Sequence, residues 1–414
     1  MAASSKVAAS LAGLMIKKHD ICIVGNGAVG KAAALGLAQA GLDVALLVPK
    51  NARPLASQAS PTNWDVRVYA LNQVARDLLA SIKVWDALDS SRVAPVEAMK
   101  VEGDGDEQAG KLLFDAYSAR VGALAWIVED ANLNQALDAA LKFASKIQIV
   151  PATATGLSVL PDQAQITLDN GDVIQASLIV GADGGQSWVR GQCDIDISYR
   201  SYAQRGVVAN FHCEKLHHGV AHQWFTQDQG IIALLPMPQQ QVSLVWSAPE
   251  PLAATLLEEP AGKLAHRLAA WAQPVLGELK PLQPEAVKAF PLSLISPHAI
   301  TAPRVALVGD AAHVVHPLAG QGMNLGFADV TALLNTLKER EAHRDCGDAR
   351  VLGRYARARK EEVLLMQVAT DGLLRLFDSD LPPMRLARNL GMNLVDRLPG
   401  LKRRLMAHAF GKSA

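Results

Sequence analysis

Cysteine is scarce in this chain. Four residues, Cys22, Cys193, Cys213 and Cys346, are scattered over 414 positions with no C-x-x-C pair. That spacing excludes a disulfide framework and a thiolate zinc site, and it fits a reducing compartment. Charge of either sign is not in excess: 40 Lys and Arg balance 40 Asp and Glu, so no nucleic-acid-binding signature emerges. No run of about 20 predominantly apolar residues occurs, so a spanning helix is not expected and a cytoplasmic location is. Residues 1–18 are rich in small side chains and end in Lys17-Lys18. Their apolar part is short and the basic pair lies on the wrong side for a secretory signal, so they are read as a disordered extension. Internal repeats and low-complexity tracts are also lacking.

What is present begins with a βαβ unit from Asp20 to Val48. Ile21-Cys22-Ile23-Val24 reads as a short apolar strand. Gly25-Asn26-Gly27-Ala28-Val29-Gly30 follows, then an Ala/Leu-rich helix through Ala40, with Gly41 placed to take the left-handed conformation at its end. Asp43 to Val48 returns as a strand. The G-x-G-x-x-G pattern therefore lies between strand and helix, where its mechanism requires it. Gly25 permits the tight turn, Gly27 lets backbone approach a pyrophosphate, and Gly30 lets helix and strand pack closely. One feature is missing. Such folds usually carry Asp or Glu at the end of the second strand to hold ribose hydroxyls, and Val48 stands there. Lys50, Asn51 and Arg67 are substitutes that the sequence does not rank.

Residues 68–88 and 132–143 alternate at helical spacing. Residues 148–168 read as β structure with a turn at Asp169-Asn170-Gly171, and Leu178-Ile179-Val180 is a buried strand ending at Gly181-Ala182-Asp183-Gly184. The Asp183 carboxylate can bond neighbouring loops or a cofactor, with Arg190 as a candidate partner. From Ser198 to Val287 short strand-like runs alternate with Gly, Pro and Gln turns, which predicts a separate, antiparallel sheet. A helical piece follows at about Pro251 to Trp271. Beyond Asp329 the pattern is helical, broken by Pro382-Pro383 and Pro399.

Near the far end a buried strand runs into Gly309-Asp310, and the Gly-rich run His316-Pro317-Leu318-Ala319-Gly320-Gln321-Gly322-Met323-Asn324 then opens a helix. The Asp310 carboxylate at a strand end can accept hydrogen bonds from ribitol hydroxyls. The backbone of Gly320 to Asn324, with Pro317 beside it, can lie against the pyrimidine edge of an isoalloxazine ring, where helix-start N–H groups would stabilise negative charge. Two cradling loops almost a chain length apart point to one long cofactor clamped from two sides, and FAD has that form. His313 and His316 are read as structural or flavin-adjacent rather than as metal ligands or bases. No catalytic dyad is visible, and the catalytic residues stay unknown.

The fold expected is α/β: a Rossmann-like FAD-binding domain, a mixed or antiparallel β-sheet substrate domain, and C-terminal helices. Its segments are residues 1–18 as extension, 19–197 and 291–340 for the FAD-binding domain, 198–290 for the substrate domain, and 341–414 for the helical region.

With these motifs in order, the chain resembles the aromatic hydroxylases of the p-hydroxybenzoate hydroxylase fold, and within them the ubiquinone-biosynthesis hydroxylases. The resemblance runs from Asp20 to about Val368. It is carried by Asp65-Val66-Arg67-Val68-Tyr69-Ala70-Leu71, Trp126-Ile127-Val128-Glu129-Asp130, Gly181 to Arg190 and Gly309 to Asp329. It implies that Arg67 contacts the phosphate or adenine side of FAD. A plain ion pair with Asp65 is the simpler alternative. It implies, too, that NADH or NADPH reduces the flavin, that O2 then gives a flavin C4a-hydroperoxide, and that its distal oxygen adds to an electron-rich ring of a polyprenylated phenol. The cofactor carries the hard chemistry, so an acid–base pair is not required.

Trp224, Phe225, Leu235, Met237 and Trp246 are candidates to line an apolar pocket, though core packing explains most of them more simply. Period-2 spacing puts Val242, Leu244 and Trp246 on one face without saying which face meets ligand. Leu398 to Lys412 is a short basic amphipathic segment that can touch an anionic membrane surface, with a solvated helix end as the equal alternative; the first reading would allow peripheral contact at the inner membrane, beside membership of a ubiquinone-biosynthesis complex. A flavin oxidase or halogenase on the same fold and a non-catalytic scaffold are the rival readings. The W-x-W-x-I-P signature of flavin halogenases is absent, and the intact Gly309 to Asn324 region argues against the scaffold.

Overall fold

The structure is a computed structural model. It describes residues 16–50, 64–103, 110–226, 228–283, 285, 287–317 and 320–378. Asn51, Leu318, Ala319, Pro382, Pro383, Pro399 and the basic segment Leu398 to Lys412 lie outside the described residues.

Consecutive β-branched and leucine residues with no polar alternation favour strands buried on both faces, as in parallel sheets. That is what Ile21 to Val24, Val44–Val48 and the end of Val173–Gly181 form. Five parallel strands, Val305–Leu307, Val173–Gly181, Ile16–Val24, Val44–Val48 and Ile147–Pro151, lie side by side in that order. Ala164–Leu168 and Ala154–Val159 extend the sheet antiparallel. The first strand starts earlier than expected. Ile16, Lys17 and Lys18 pair with Val173, Ile174 and Gln175, so the disordered-extension reading fails for those residues. The ladder gives their backbone groups partners, and the basic side chains do not prevent it at a strand's exposed end.

Helix Ala28–Gln39 follows the first glycine loop and is buried along nearly all its length, which explains its small side chains. Gly36 is where Leu334 of helix Gln321–Lys338 comes close: a Cβ there would sit 2.6 Å from the leucine side chain. The two glycine loops thus open helices that pack on each other. Helix Asp130–Lys142 matches the expected 132–143 segment. The 68–88 segment does not hold together as one helix. Val68–Leu71 is a strand paired with Ala125–Glu129, which pairs on its other side with Val93–Val96. The helix begins only at Gln73, capped by the Asn72 side chain, which accepts from the Ala75 N–H.

The second sheet has the order Leu279–Pro281, Ile197–Cys213, Gln241–Pro249, Gly230–Met237, Val220–Thr226, Ala98–Glu102, Lys111–Asp115, with Lys288–Pro297 also pairing along Ile197–Cys213. It is antiparallel except where Val220–Thr226 meets Ala98–Glu102. Two expected boundaries need correction. Residues 98–102 and 111–115, placed in the FAD-binding segment by sequence, complete this sheet. The 290 boundary falls inside the strand Lys288–Pro297. Helices Glu250–Glu258 and Ala261–Leu276 cover one face of the sheet. The other face looks toward the nucleotide-type domain. Helix Ala349–Asp378 ends the described chain. No helix among the described residues is long and apolar enough to cross a membrane.

Candidate functional site

A cavity of about 580 Å³ lies between the two sheets. That size suits a cofactor or small-molecule cleft. Both glycine loops reach it. Gly27 and Ala28 border it from the first, and Gly309, Asp310, Pro317, Gly320, Gly322, Met323 and Asn324 from the second, with Arg67 at the side. The sequence therefore brings together ten of its thirteen candidate positions; Gly25, Gly30 and Asp183 stand behind the wall.

Gly25 and Gly30 shape the cradle rather than face it. Gly25 has φ +117°, and a Cβ on it would meet the Ala182 carbonyl oxygen at 2.2 Å. A Cβ on Gly30 would meet the Gly25 oxygen at 2.1 Å. Gly27 and Gly322 behave oppositely: a Cβ on either meets nothing within 4 Å. These two open the cradle to a close-approaching ligand. Neither helix, Ala28–Gln39 or Gln321–Lys338, has a side-chain cap on its first turn. Helix starts of this kind favour anionic or carbonyl atoms near them.

Asp183 is a different case from the expectation. Its carboxylate accepts from the Ser187 hydroxyl at 2.5 Å and from the Val189 N–H at 3.0 Å, so it is spent on the start of the following helix. Arg190 does not bond it. The guanidinium donates to the carbonyls of Gly185 at 2.7 Å and Ala311 at 3.0 Å and ties this turn to the Gly309 turn. Asp183 acts on the site through loop shape. Its neighbours Ala182 and Gly184 are the ones on the cavity wall.

Asp310 points into the cavity, and no described residue hydrogen-bonds its carboxylate. Its side chain is exposed at the cavity wall, and desolvation by the surrounding protein raises its pKa above the ordinary carboxylate value despite the opposing pull of His313 and Arg67. An unpartnered acceptor at a strand end fits the ribitol hydroxyls of a flavin. Behind it, Asp329 accepts from the Gly309 N–H at 2.8 Å, from His313 Nε2 at 2.7 Å and from Arg359 Nε at 2.6 Å. His313 and His316 are both buried, the latter against Gln204 at 3.2 Å and edge-on to Tyr202. Burial lowers the His316 pKa to about 4, so its ring is neutral. No group of His, Cys, Asp and Glu able to hold a metal occurs among the described residues.

Arg67 lies over the Tyr69 ring, 5.4 Å from its centroid. The Asp65 carboxylate takes the backbone N–H of Arg67 at 3.0 Å rather than its guanidinium, so the simple ion-pair alternative is not what forms. Burial works against the Arg67 charge, yet Tyr69, Asp130, Asp310 and Asp65 outweigh it and raise its pKa. Tyr69 donates to Asp130 at 2.8 Å, and Asn134 donates to the same oxygen at 2.8 Å. Tyr69, Asp130 and Asn134 all border the cavity, and none was singled out from sequence. The signal existed: Tyr69 and Asp130 stand inside the two short motifs around Arg67 and Glu129. Those motifs are knitted by a buried, bidentate Arg92–Glu129 pair at 2.7 and 2.8 Å, with the Asp65 N–H on the same carboxylate.

Asn324 is on the wall, but its side chain is a staple. It donates to the Ala70 carbonyl at 2.9 Å and accepts from the Asn72 N–H at 3.0 Å. At the end of the second strand, Val48 is followed by Lys50, which pairs with Asp169 at 3.1 Å and so is engaged away from the cavity.

The roof bears out the core reading for four of the five pocket candidates. Val242, Leu244 and Trp246 face helices Glu250–Glu258 and Ala261–Leu276, in one core cluster with Trp224. Met237 and Phe225 belong to other core clusters. Of the five named side chains only Leu235 borders the cavity. Ala221, Ala233 and Val245 of the same strands and Val208 of Ile197–Cys213 border the cavity.

Comparison with known proteins agrees with this geometry. The FAD binding domain family model matches residues 18–366. The chain is 35% identical over 394 residues to the 3-demethoxyubiquinol 3-hydroxylase of Escherichia coli (strain K12), covering 95% of this chain and 98% of that protein. It is 35% identical over 399 residues to the ubiquinone hydroxylase UbiL of Rhodospirillum rubrum, covering 95% and 90%. Among solved structures, PqsL from Pseudomonas aeruginosa, described as a probable FAD-dependent monooxygenase, superposes with a TM-score of 0.73 at 21% identity, covering 91% of this chain and all of that one. At that identity the likeness shows the fold alone.

Proposed function

The chain belongs to the FAD-binding-domain family and is an FAD-dependent monooxygenase, and from that premise we propose that it hydroxylates the aromatic ring of a polyprenylated phenol in ubiquinone biosynthesis, with NADH or NADPH as reductant and O2 as co-substrate. The observation that carries the reading is a cavity with glycine loops and a free carboxylate on one side and an apolar sheet on the other. FAD, when bound, supplies the redox and oxygen-activating chemistry.

The chain's own residues do the rest. The uncapped helix start at Ala28 and the close-approach position Gly27 hold the pyrophosphate, with Gly25 and Gly30 fixing the turn. Arg67, its charge favoured by Asp130, Asp310 and Asp65, neutralises phosphate charge or packs on the adenine side. Asp310 accepts from ribitol hydroxyls. The backbone from Gly320 to Asn324 cradles the ring's pyrimidine edge, with Pro317 and Met323 beside it, and the helix dipole at Gln321 favours negative charge there. The apolar roof of Ala221, Ala233, Leu235 and Val245 excludes water, which protects an electrophilic oxygen donor from wasteful release as peroxide. No general acid–base pair is called for.

The two sequence relatives named above are a 3-demethoxyubiquinol 3-hydroxylase and a ubiquinone hydroxylase, which supports a prenylated aromatic substrate. Peripheral membrane contact and association with other enzymes of the same pathway belong to the proposal as well, since such a substrate resides in lipid. Purified protein is expected to be yellow, to consume NAD(P)H faster when a prenylated phenol is added, and to yield a product heavier by one oxygen. A colourless protein that stays colourless with added FAD would overturn the reading.

A further inference from the structure

The roof of the cavity carries an amide, Gln223, that no described residue hydrogen-bonds. Gln223 sits in the middle of strand Val220–Thr226 and is 6% exposed. Strand alternation sets its direction. Trp224 lies in the helix-covered core and His222 stacks on it at 5.4 Å, with Trp224 donating to Glu102; His222 also borders the cavity. Gln223 points to the opposite face, with Ala221. Its cross-strand neighbour is Ala233, which pairs with Val245, which pairs with Val208. All of these border the cavity, as does Gln223 itself. No described residue hydrogen-bonds the Gln223 side chain, and its polar atoms are not sealed from the cavity.

A buried amide costs free energy unless its donors and acceptor are satisfied. Gln223 interrupts a row that is otherwise Val208, Val245 and Ala233, where an apolar side chain would pack without that cost. Small Ala233 beside it leaves room for a planar group. We propose that Gln223 is the substrate-orienting residue of the roof: its amide hydrogen-bonds an oxygen substituent of the aromatic ring, accepting from a phenol O–H and donating to a neighbouring oxygen, while the adjacent alanines and valines hold the ring face and the prenyl chain. The pairing fixes the ring's rotation and so selects the carbon presented for hydroxylation. It is a positioning contact and transfers no proton. This inference rests on the phenolic-substrate reading above.

The test compares a short-chain prenylated phenol with its O-methyl ether, which cannot donate. Kd for each is read from the perturbation of flavin absorbance in the FAD-loaded protein, for the wild type and for Gln223→Leu, Gln223→Asn and Gln223→Glu. FAD content reports folding. The wild type is expected to prefer the phenol by about tenfold, the size of one buried hydrogen bond. Gln223→Leu should lose that preference, and product formed per NAD(P)H consumed should fall with it. Gln223→Glu, which keeps an acceptor, should retain the preference, and Gln223→Asn should retain part of it. An undiminished preference and coupling in Gln223→Leu would overturn the assignment while leaving the phenol reading intact. A wild type that binds no prenylated phenol and shows no stimulated NAD(P)H consumption takes down both.

Discussion

The fully buried carboxylate of Asp329 accepts the backbone N–H of Gly309 at 2.8 Å and so fixes, from behind, the turn that presents Asp310 to the cavity. Burial opposes the Asp329 charge, and His313 and Arg359 more than offset it, holding its pKa below the ordinary carboxylate value. Removing one member of such a buried pair leaves an uncompensated charge on the other, at a cost of about 3–5 kcal/mol. Asp329→Ala is therefore expected to lower the denaturant midpoint sharply and to reduce FAD content with it. Urea unfolding followed by circular dichroism checks the first effect, and the ratio of flavin to protein absorbance the second.

Asp310 is the opposite case, a carboxylate with no protein partner. Asp310→Ala should leave the stability of FAD-free protein within about 0.5 kcal/mol of the wild type, because nothing is orphaned. Bound FAD should be lost, since the ribitol hydroxyls lose their acceptor. If the variant purifies with a full complement of FAD, the ribitol assignment is wrong.

What was legible in the chain was local. The two glycine loops are written in consecutive residues, and each carries its own strand and helix signal. The faces of the second sheet were not legible, because Val242, Leu244 and Trp246 alternate with Ser243, Val245 and Ser247, and both sets are largely buried. Periodicity identifies a face and cannot say what covers it. The strands at 98–102 and 111–115 were missed for a related reason. Their pairing with Val220–Thr226 is non-local, and nothing in a five-residue window announces a partner more than a hundred positions away. Val68–Leu71 was absorbed into a helical pattern because four residues cannot display a period of two against a helix that starts at Gln73.

Val48 ends its strand where an acidic residue would be placed to hold a ribose. It is half-buried at the strand's end, against Pro151. Val48→Glu should tighten FAD by supplying the missing acceptor, read by isothermal titration of FAD-free protein. Weaker binding would mean that the adenosine half does not pass this strand end.

Acid should destabilise the fold through two histidines. Burial depresses His222, helped by Lys100, and burial depresses His316, each to about 4. In the unfolded chain such rings take up a proton near pH 6.5. Between about pH 6.5 and 4 the unfolded state therefore holds more protons, and stability falls as the pH drops through that window. Each ring accounts for up to about 3 kcal/mol across it. Thermal unfolding at stepped pH should show the decline, and His222→Phe should make it shallower. An unchanged slope in that variant would mean His222 charges freely in the folded protein.

Gly27 separates the needs of folding from those of binding. A Cβ at Gly25 would overlap the Ala182 carbonyl, so Gly25→Ala must distort the loop and is expected to fail to fold or to lose several kcal/mol. At Gly27 a Cβ meets no protein atom within 4 Å, and the backbone there, at φ −68°, is open to any residue. Gly27→Ala should thus leave FAD-free stability unchanged or slightly raised, since the unfolded chain loses freedom. The added methyl would stand where a pyrophosphate must come close, and FAD affinity should fall by about tenfold or more, the equivalent of about 1.4 kcal/mol. Thermal unfolding of FAD-free protein and fluorescence titration with FAD measure the two halves separately. Undiminished affinity in Gly27→Ala would place the phosphates elsewhere than on this loop.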